Sequence, residues 1–595
     1  MIRTPLRPLA RILDARQKGE NPDAIERENI RLRHEEMRDR LRVRAEQRLL
    51  LLGIMYFCAF LVIGVRMGGL AASEAEEPRG ATNGASIVAQ RADIVDRKGR
   101  LLATNMETHS LYAHPHQMIE PERAAEELGK IFPELDVADL KKRFTSDRKF
   151  MWIRKKLSPE QKQAVHDIGE PGLLFGPREM RLYPNGPVAA HVLGGYGFGR
   201  EGVHSAEVIG TAGIEKFADD MLRDPAREGA PLELSLDLTI QDAAEKVLYG
   251  GMKIMNAKGA ASILMDVHTG EILALASLPD FDPNDRPLPA LGDDPSISPL
   301  FNRAVQGVYE LGSTFKIFAS AQAMDLGLVN PGTMVDIRGP LRWGRHRIRD
   351  FHNYGRELSV TKVIVKSSNI GTARLAQMIG TPRQKSFLEK LGFFDVTPVE
   401  LQEAKAAKPL LPPNWSELST MTISYGHGLS ASPLHLAAAY ATVANGGFAV
   451  SPTLLRQNGP QHGERVLSAR ASEASLAMLR LVVSHPDGTA SFGDVKGYAV
   501  GGKTGTADKP KPRGGYYDDK VIATFASVFP IHDPKYVLIV TLDEPEIHAA
   551  GKLRRTAGWT AVPVAAEMIE RLAPLLGLRP EIEPAELAGI TLTSQ

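Results

Sequence analysis

Cysteine is almost missing from this chain: 595 residues carry one thiol, Cys58, and it lies inside an apolar run. A single thiol closes no internal disulfide and builds no structural zinc site, so the fold must be held by its own cores. Net charge is missing too. With 72 Lys and Arg against 71 Asp and Glu, the surface as a whole lacks the cationic footprint that phosphate backbones demand, which argues against a nucleic-acid partner. There is no internal repeat, which removes solenoids and propellers. Wholesale disorder is excluded by composition, at 43% hydrophobic and 24% charged residues. Length allows two or more domains.

Long hydrophobic runs are scarce, and the one that stands out is near the N-terminus. Residues 49–65, LLLLGIMYFCAFLVIGV, are 17 positions without a charge, about 26 Å of helix against a hydrocarbon layer of roughly 30 Å. Carried to residue 71 with Arg66 snorkelling toward the headgroups, the segment reaches about 34 Å and reads as a transmembrane helix. Residues 1–48 hold 13 basic against 9 acidic side chains, with Arg40, Arg42, Arg44 and Arg48 crowded against the span. The positive-inside rule then predicts a cytoplasmic tail at 1–48 and an external C-terminal part. The apolar stretch starts late for a cleaved signal peptide, although GGLAAS at 68–73 resembles a cleavage site, so retention as an anchor is the better reading. The Arg- and Glu-rich tail reads as a solvated helix or a disordered arm.

Beyond the span, residues 72–86 read as a linker. From 87 to 230 the chain alternates charged helical stretches, 136–144 and 160–166 among them, with glycine-rich turns; GGYGFGREG at 194–202 reads as loop. No chemical cluster stands out there, so a platform or partner surface is expected. From 231 to 580 the pattern is that of one mixed α/β domain, and 581–595 is a tail. PLELSLDLTIQ at 231–241 alternates apolar and polar residues and predicts a strand with one buried face. Apolar runs at 262–266 and 272–278 flank His-Thr-Gly, and runs at 521–529 and 536–542 flank HDPK, predicting two hairpins. Helical patterns cover 313–326, 361–379 and 433–444 between them.

One phosphate-loop string, GYAVGGKT at 497–504, matches by letter. Its continuation GTADKPKPRGG cannot form the helix whose N-terminus would hold a phosphate, so nucleotide hydrolysis is not expected.

Three short motifs carry the chemistry. Ser313-Thr-Phe-Lys316 would open a helix with Ser313 and Lys316 on one face, and an amine held among apolar neighbours can take the proton of a serine that is a poor nucleophile alone. Ser367 and Asn369 flank Ser368 at a spacing that suits a turn between two helices; read alone, helix capping would explain them as well. Lys503-Thr504-Gly505-Thr506 reads as an edge strand beside a cleft, with a positive charge, a close backbone approach at Gly505 and two hydroxyls for a substrate carboxylate. Each is weak alone. Their joint occurrence, 54 and then 136 residues apart, is not.

On these motifs the chain resembles the class B penicillin-binding proteins from the membrane segment to about residue 545. RADIVDRKGRLLATN at 91–105, REMRLYPNG at 178–186, AAHVLG at 189–194 and TAGIE at 211–215 are similar to that family's pedestal motifs. DVHTGEILALAS at 266–277 and NRAVQGVYELGSTFK at 302–316 are equally characteristic, and residues 420–447 are most similar to the cell-division branch. The resemblance implies one membrane anchor, a non-catalytic pedestal and a β-lactamase-like transpeptidase domain with an antiparallel sheet flanked by helices. It implies that Ser313 attacks the penultimate D-Ala carbonyl of a peptidoglycan stem pentapeptide and expels the terminal D-Ala, and that penicillins acylate the same serine. Lys316 would accept the proton, Ser367 and Lys503 would relay it to the leaving amine, and Asn369 would bind the substrate amide and orient Lys316. The N–H groups of Ser313 and Thr506 would form the oxyanion hole, and Thr504 and Thr506 would hold the terminal carboxylate beside Gly505. No cofactor or metal is implied; the partners expected are stem peptides, a membrane glycosyltransferase and other division proteins met through the pedestal and span, at the septum of the inner membrane.

Departures from the family pattern are Leu311 for a proline, Ala92 for a glycine and His435 for a glutamine. None removes a reacting group. The alternatives are an elongation-type transpeptidase, a carboxypeptidase using water as acceptor, and a scaffold that acylates without turnover.

Overall fold

A computed structural model of the chain describes residues 7–72, 91–201, 206–289, 295–511 and 514–580. The expected linker at 72–86 and the tail at 581–595 fall almost wholly outside them.

The N-terminal part is helical. Arg7–Gln17 is followed by one unbroken helix, Pro22–Ala72, of 51 residues, about 76 Å long at 1.5 Å per residue. Within it, Glu46–Met67 is long and apolar enough to cross a membrane, and none of it is buried against the rest of the chain. The tail is therefore the solvated-helix alternative, continuous with the apolar stretch. By contact density the chain forms two units, one of residues 1–77, 112–153 and 164–174, the other of 78–111, 154–163 and 175–595.

The second unit contains, between residues 91 and 219, a feature that no local window reveals. Arg91 and Arg181, both buried, grip Glu215 from two sides: Arg91 Nε donates to Oε2 and Arg181 Nε to Oε1, each at 2.7 Å. Arg91 also pairs with Asp219 at 2.6 Å. A carboxylate saturated by two guanidinium groups is a structural tie and not a reaction centre. The loop expected at 194–202 is corrected. Gly195–Glu201 is a strand paired antiparallel with Ala206–Ala212, and Tyr196 and Phe198 stack edge to face at 5.7 Å. Glycine here serves close approach: a Cβ on Gly194 would stand 2.2 Å from the Ala212 carbonyl.

The strand expected over 231–241 is cut short and ends in the start of a helix. Leu232–Glu233 is strand, but Leu238–Ile254 is α-helical, and the Asp237 carboxylate accepts from the N–H groups of Thr239 and Ile240 as its cap. Leu232, Leu234 and Leu236 do bury one face. The alternation ran on by coincidence into a helix whose buried positions Ile240, Ala244, Val247, Leu248 and Gly251 follow a helical period.

The catalytic sheet has five antiparallel strands, here numbered in chain order: β1 Gly259–Asp266, β2 Ile272–Leu278, β3 Gly501–Pro510, β4 Tyr516–Phe529 and β5 Tyr536–Asp543. Their spatial order is β3-β4-β5-β1-β2, so both expected hairpins form and β3 is an edge. The strands β1 and β2 are buried almost throughout, because Leu238–Ile254 and Ala561–Leu575 cover one face of the sheet and Pro433–Ala444 packs on β1 and β5. The helical pattern at 361–379 breaks into Val360–Val365 and Asn369–Ile379, which frees the residues between them for the site.

Candidate active site

The Ser313 turn leaves one residue partly exposed. Gly312–Phe315 is a 3-10 turn that runs into the α-helix Lys316–Asp325, so the expected helix starts three residues late. In a 3-10 turn side chains at i and i+3 eclipse, which brings Ser313 and Lys316 to the same side more directly than an α-turn would. From Leu311 to Ser320 every residue is buried except Ser313. The turn is braced on several sides. Tyr440, fully buried, donates from its hydroxyl to the Thr314 carbonyl at 2.8 Å, Thr314 Oγ1 donates to the Leu311 carbonyl at 2.9 Å, and Phe393 packs on Phe315 at 4.8 Å between ring centres. Gly312 has φ of +57° and its N–H donates to Gly426. Leu311 is itself buried, so the missing proline is replaced by a side chain in the core and not by a gap.

The Ser-Ser-Asn residues lie at the helix break. Ser367 has φ of +59°, a left-handed conformation that costs a non-glycine residue about 1 kcal/mol. That conformation aims both its oxygens at Lys316, whose Nζ donates to the Ser367 carbonyl at 2.5 Å and to Oγ at 3.0 Å. Ser368, which the sequence reading passed over, is fully buried: its hydroxyl caps the following helix at the Gly371 N–H and donates to Asp350 at 2.7 Å. Asp350 in turn accepts from the Ile370 N–H at 3.0 Å. Asn369 is turned to the Arg349 carbonyl, to which its amide donates at 3.0 Å. Lys316 is held by the carbonyl and hydroxyl of Ser367.

The third motif approaches from the edge strand β3. Gly505 lies so close to the Ser313 turn that a Cβ there would stand 2.2 Å from the Leu311 carbonyl oxygen. Lys503 is fully buried and its Nζ donates to Ser367 Oγ at 3.0 Å. Thr504 shares a hydrogen bond with Thr489 at 2.8 Å. Thr506 Oγ1 accepts from the Ala557 N–H at 3.0 Å, so its own proton remains available to a ligand. Of the letters that mimic a phosphate loop, 497–500 are turn and irregular chain and 501–504 open the strand β3, with no helix at their end.

Two amines on one hydroxyl set the electrostatics. Burial pushes Lys316 well below the ordinary amine value, and the charge of Lys503 lowers it further, against a smaller opposing effect of Asp350. Burial alone pushes Lys503 down to about 7. A hydroxyl has one proton to give and two lone pairs, so Ser367 can pass a proton between the amines when one of them is neutral. The arrangement has what serine acyl transfer requires: a partly exposed hydroxyl, a buried amine whose pKa is pushed down, a second amine on a shared hydroxyl and an edge strand.

Beside the turn, Glu310 joins loops that the sequence did not connect. It accepts from Gly428 N–H at 2.7 Å and from the Tyr516 hydroxyl at 3.0 Å, and it pairs with His427 Nδ1 at 3.1 Å. Burial works to raise its pKa, but these donors, His427 first, hold it below the ordinary carboxylate value. His435, at the third departure, forms a capping box with Ser432 and meets the Asp395 carbonyl at 2.9 Å, so both ring nitrogens are engaged in structure.

With this geometry in place, comparison with known proteins is direct. Residues 260–569 match the penicillin binding protein transpeptidase domain, and residues 86–226 the penicillin-binding protein dimerisation domain. The chain is 36% identical over 572 residues to a probable peptidoglycan D,D-transpeptidase FtsI of Caulobacter vibrioides, covering 94% of each chain. It is 32% identical to the probable peptidoglycan D,D-transpeptidase PenA of Neisseria meningitidis, covering 78% of this chain and 81% of that one. Among solved structures it is similar to penicillin binding protein 3 of Mycobacterium tuberculosis in complex with aztreonam, with a TM-score of 0.63 and 26% identity over 83% of this chain and 98% of the other.

Proposed function

The chain belongs to the class B penicillin-binding proteins, peptidoglycan D,D-transpeptidases of the septal type, and from that premise we propose that Ser313 is its acylated nucleophile. The observation that carries the reading is the shared hydroxyl: Ser367 Oγ lies 3.0 Å from the Nζ of both Lys316 and Lys503.

In the first half-reaction Ser313 Oγ attacks the penultimate D-Ala carbonyl while neutral Lys316 takes its proton. The C–N bond of the terminal D-Ala breaks, and its nitrogen receives a proton through Ser367, replenished from Lys503. The N–H groups of Ser313 and Thr506 hold the oxyanion, and the hydroxyls of Thr504 and Thr506 hold the terminal carboxylate, with Gly505 letting the strand come close enough. Asn369, anchored on Arg349, faces the substrate amide. In the second half-reaction an amine from a neighbouring stem peptide forms a new C–N bond and the ester C–O bond breaks; Ser313 regains its proton from Lys316, and the proton that the amine loses returns through Ser367 to Lys503. No ATP enters, since one peptide bond is exchanged for another.

The pedestal occupies 87–230 and the transpeptidase domain 231–580. The N-terminus lies in the cytoplasm, supported by the basic excess before the span, and the catalytic domain lies in the periplasm at the septum, where the span and pedestal meet a membrane glycosyltransferase and other division proteins. Labelled penicillin incubated with the full-length protein tests the chemistry. Peptide mapping is expected to find the adduct on Ser313 and none in Ser313→Ala; a folded protein with no adduct there defeats the assignment. Depletion is expected to give filaments with blocked septa, and rounded cells would favour an elongation role.

A further inference from the structure

Linked to the Ser367–Asn369 turn through Arg349 and Asp350 lies a strongly basic segment that the chemistry above does not use. Leu341–Trp343 and His346–Ile348 pair as a hairpin with Arg342 directly opposite Arg347. Like charges placed directly opposite are destabilising, and here no carboxylate relieves them: Arg342, Arg345, Arg347 and Arg349 are all exposed, and no ion pair holds any of them among the described residues. The buried pair Leu341 and Ile348 fixes the register and so keeps the arginine pair on the outer face. The carboxylate nearest in sequence, Asp350, is taken by Ser368 and the Ile370 N–H. A cavity of about 370 Å³ adjoins the hairpin, lined in part by Arg349, Phe351, His352 and Tyr354. Phe351 is 84% exposed there. The cavity shares Ile370 with the helix that the Ser-Ser-Asn turn opens, and Asn369 is hydrogen-bonded to the backbone of Arg349.

We propose that the hairpin and the adjoining cavity seat the acceptor strand, a second stem peptide recognised through its carboxylates. The inference rests on the transpeptidase reading and deepens it. Any acceptor stem ends in a carboxylate of its own, and Thr504 and Thr506 are already committed to the donor's. Arginine is suited to the second one because its planar fork binds carboxylates in pairs of hydrogen bonds. Holding the acceptor there presents its amine to the acyl-enzyme from the Asn369 side of the turn, opposite in sequence to the edge strand that holds the donor.

The test uses the full-length protein carrying Arg342→Glu and Arg347→Glu together, with a thioester stem-peptide mimic as donor. Acyl transfer to an acidic stem-peptide acceptor is expected to fall about tenfold or more. Transfer to a neutral amine such as glycinamide, and acylation by labelled penicillin, are expected to stay as in the parent. In the parent, the KM for the acidic acceptor alone should rise with salt. Equal losses for acidic and neutral acceptors, or no loss for either, would overturn the assignment. So would a loss confined to sedimentation with vesicles of anionic phospholipid, which would make the hairpin a membrane contact. If the parent forms no acyl-enzyme at all, the transpeptidase reading has failed; a normal acyl-enzyme indifferent to acceptor charge fails the acceptor site alone.

Discussion

A methyl group at residue 505 has nowhere to go. Gly505→Ala puts a carbon 2.2 Å from the Leu311 carbonyl oxygen and 2.8 Å from Thr314 Cγ2, so either β3 or the nucleophile turn must move. Backbone displacement of this kind typically costs 1–3 kcal/mol, and a shift of about 1 Å at a reacting group can cost about a hundredfold in rate. The second-order rate of acylation by labelled penicillin should therefore drop about a hundredfold while the protein stays folded by circular dichroism; an unchanged rate would mean that the contact is not part of the reacting geometry. Lys503 makes a prediction of a different kind. Unfolded, its amine keeps a proton up to about 10.5, whereas folded it loses it near 7. Below pH 7 both states are charged and the whole cost of burying the ammonium weakens the fold; between 7 and 10.5 the unfolded chain binds the extra proton, so stability rises with pH. Lys503→Met should abolish acylation yet melt higher than the parent at pH 6, by an amount on the order of a few kcal/mol in stability. That gap should close toward pH 10. A gap independent of pH in thermal scans would show that the ammonium is compensated where it lies.

At the scale of elements, the junction between Val360–Val365 and Asn369–Ile379 does the positioning. Ser368 caps the second helix and ties down Asp350, so Ser368→Ala loses a cap and leaves a half-buried carboxylate short of a donor, a loss of about 1–3 kcal/mol. Denaturant unfolding should register it, and transfer to the acceptor should suffer more than penicillin acylation, because the 349–350 backbone is released while the Lys316–Ser367 contact stays. Equal effects on both half-reactions would place Ser368 in general stability only. Much of this was legible in the letters: the three motifs, both hairpins and the break near Ser367 follow from residue type and spacing. What misled was local pattern without context. The 231–241 alternation could not distinguish three strand-like leucines from a helix starting behind Asp237, because both bury the residues up to Leu236. The glycines of 195–201 looked like turn residues because their real use, letting two strands crowd together, depends on a partner strand that sequence does not show.

For the whole molecule the least legible feature is the ionic tie at Glu215, since Arg91 lies 124 positions away. Glu215→Ala would strand two buried guanidinium groups, a defect that costs about 3–5 kcal/mol. The full-length protein should melt well below the parent, yet below its melting point the folded fraction should acylate at the parental rate. A normal melting temperature would show that Asp219 suffices as partner. The tie at Glu215 thus joins three distant segments beside an apolar core to which Ala92, Ile94, Val192 and Ile214 also belong.

The left-handed backbone of Ser367 has a consequence for inheritance. Glycine or asparagine would fit that geometry more comfortably, so a library varied at 367 and screened for heat tolerance alone would drift away from serine. The same library forced to sustain growth would be driven back to it. Genotypes that prosper under one regime perish under the other, and the position becomes a marker of whether a lineage still builds wall with this protein or merely keeps it.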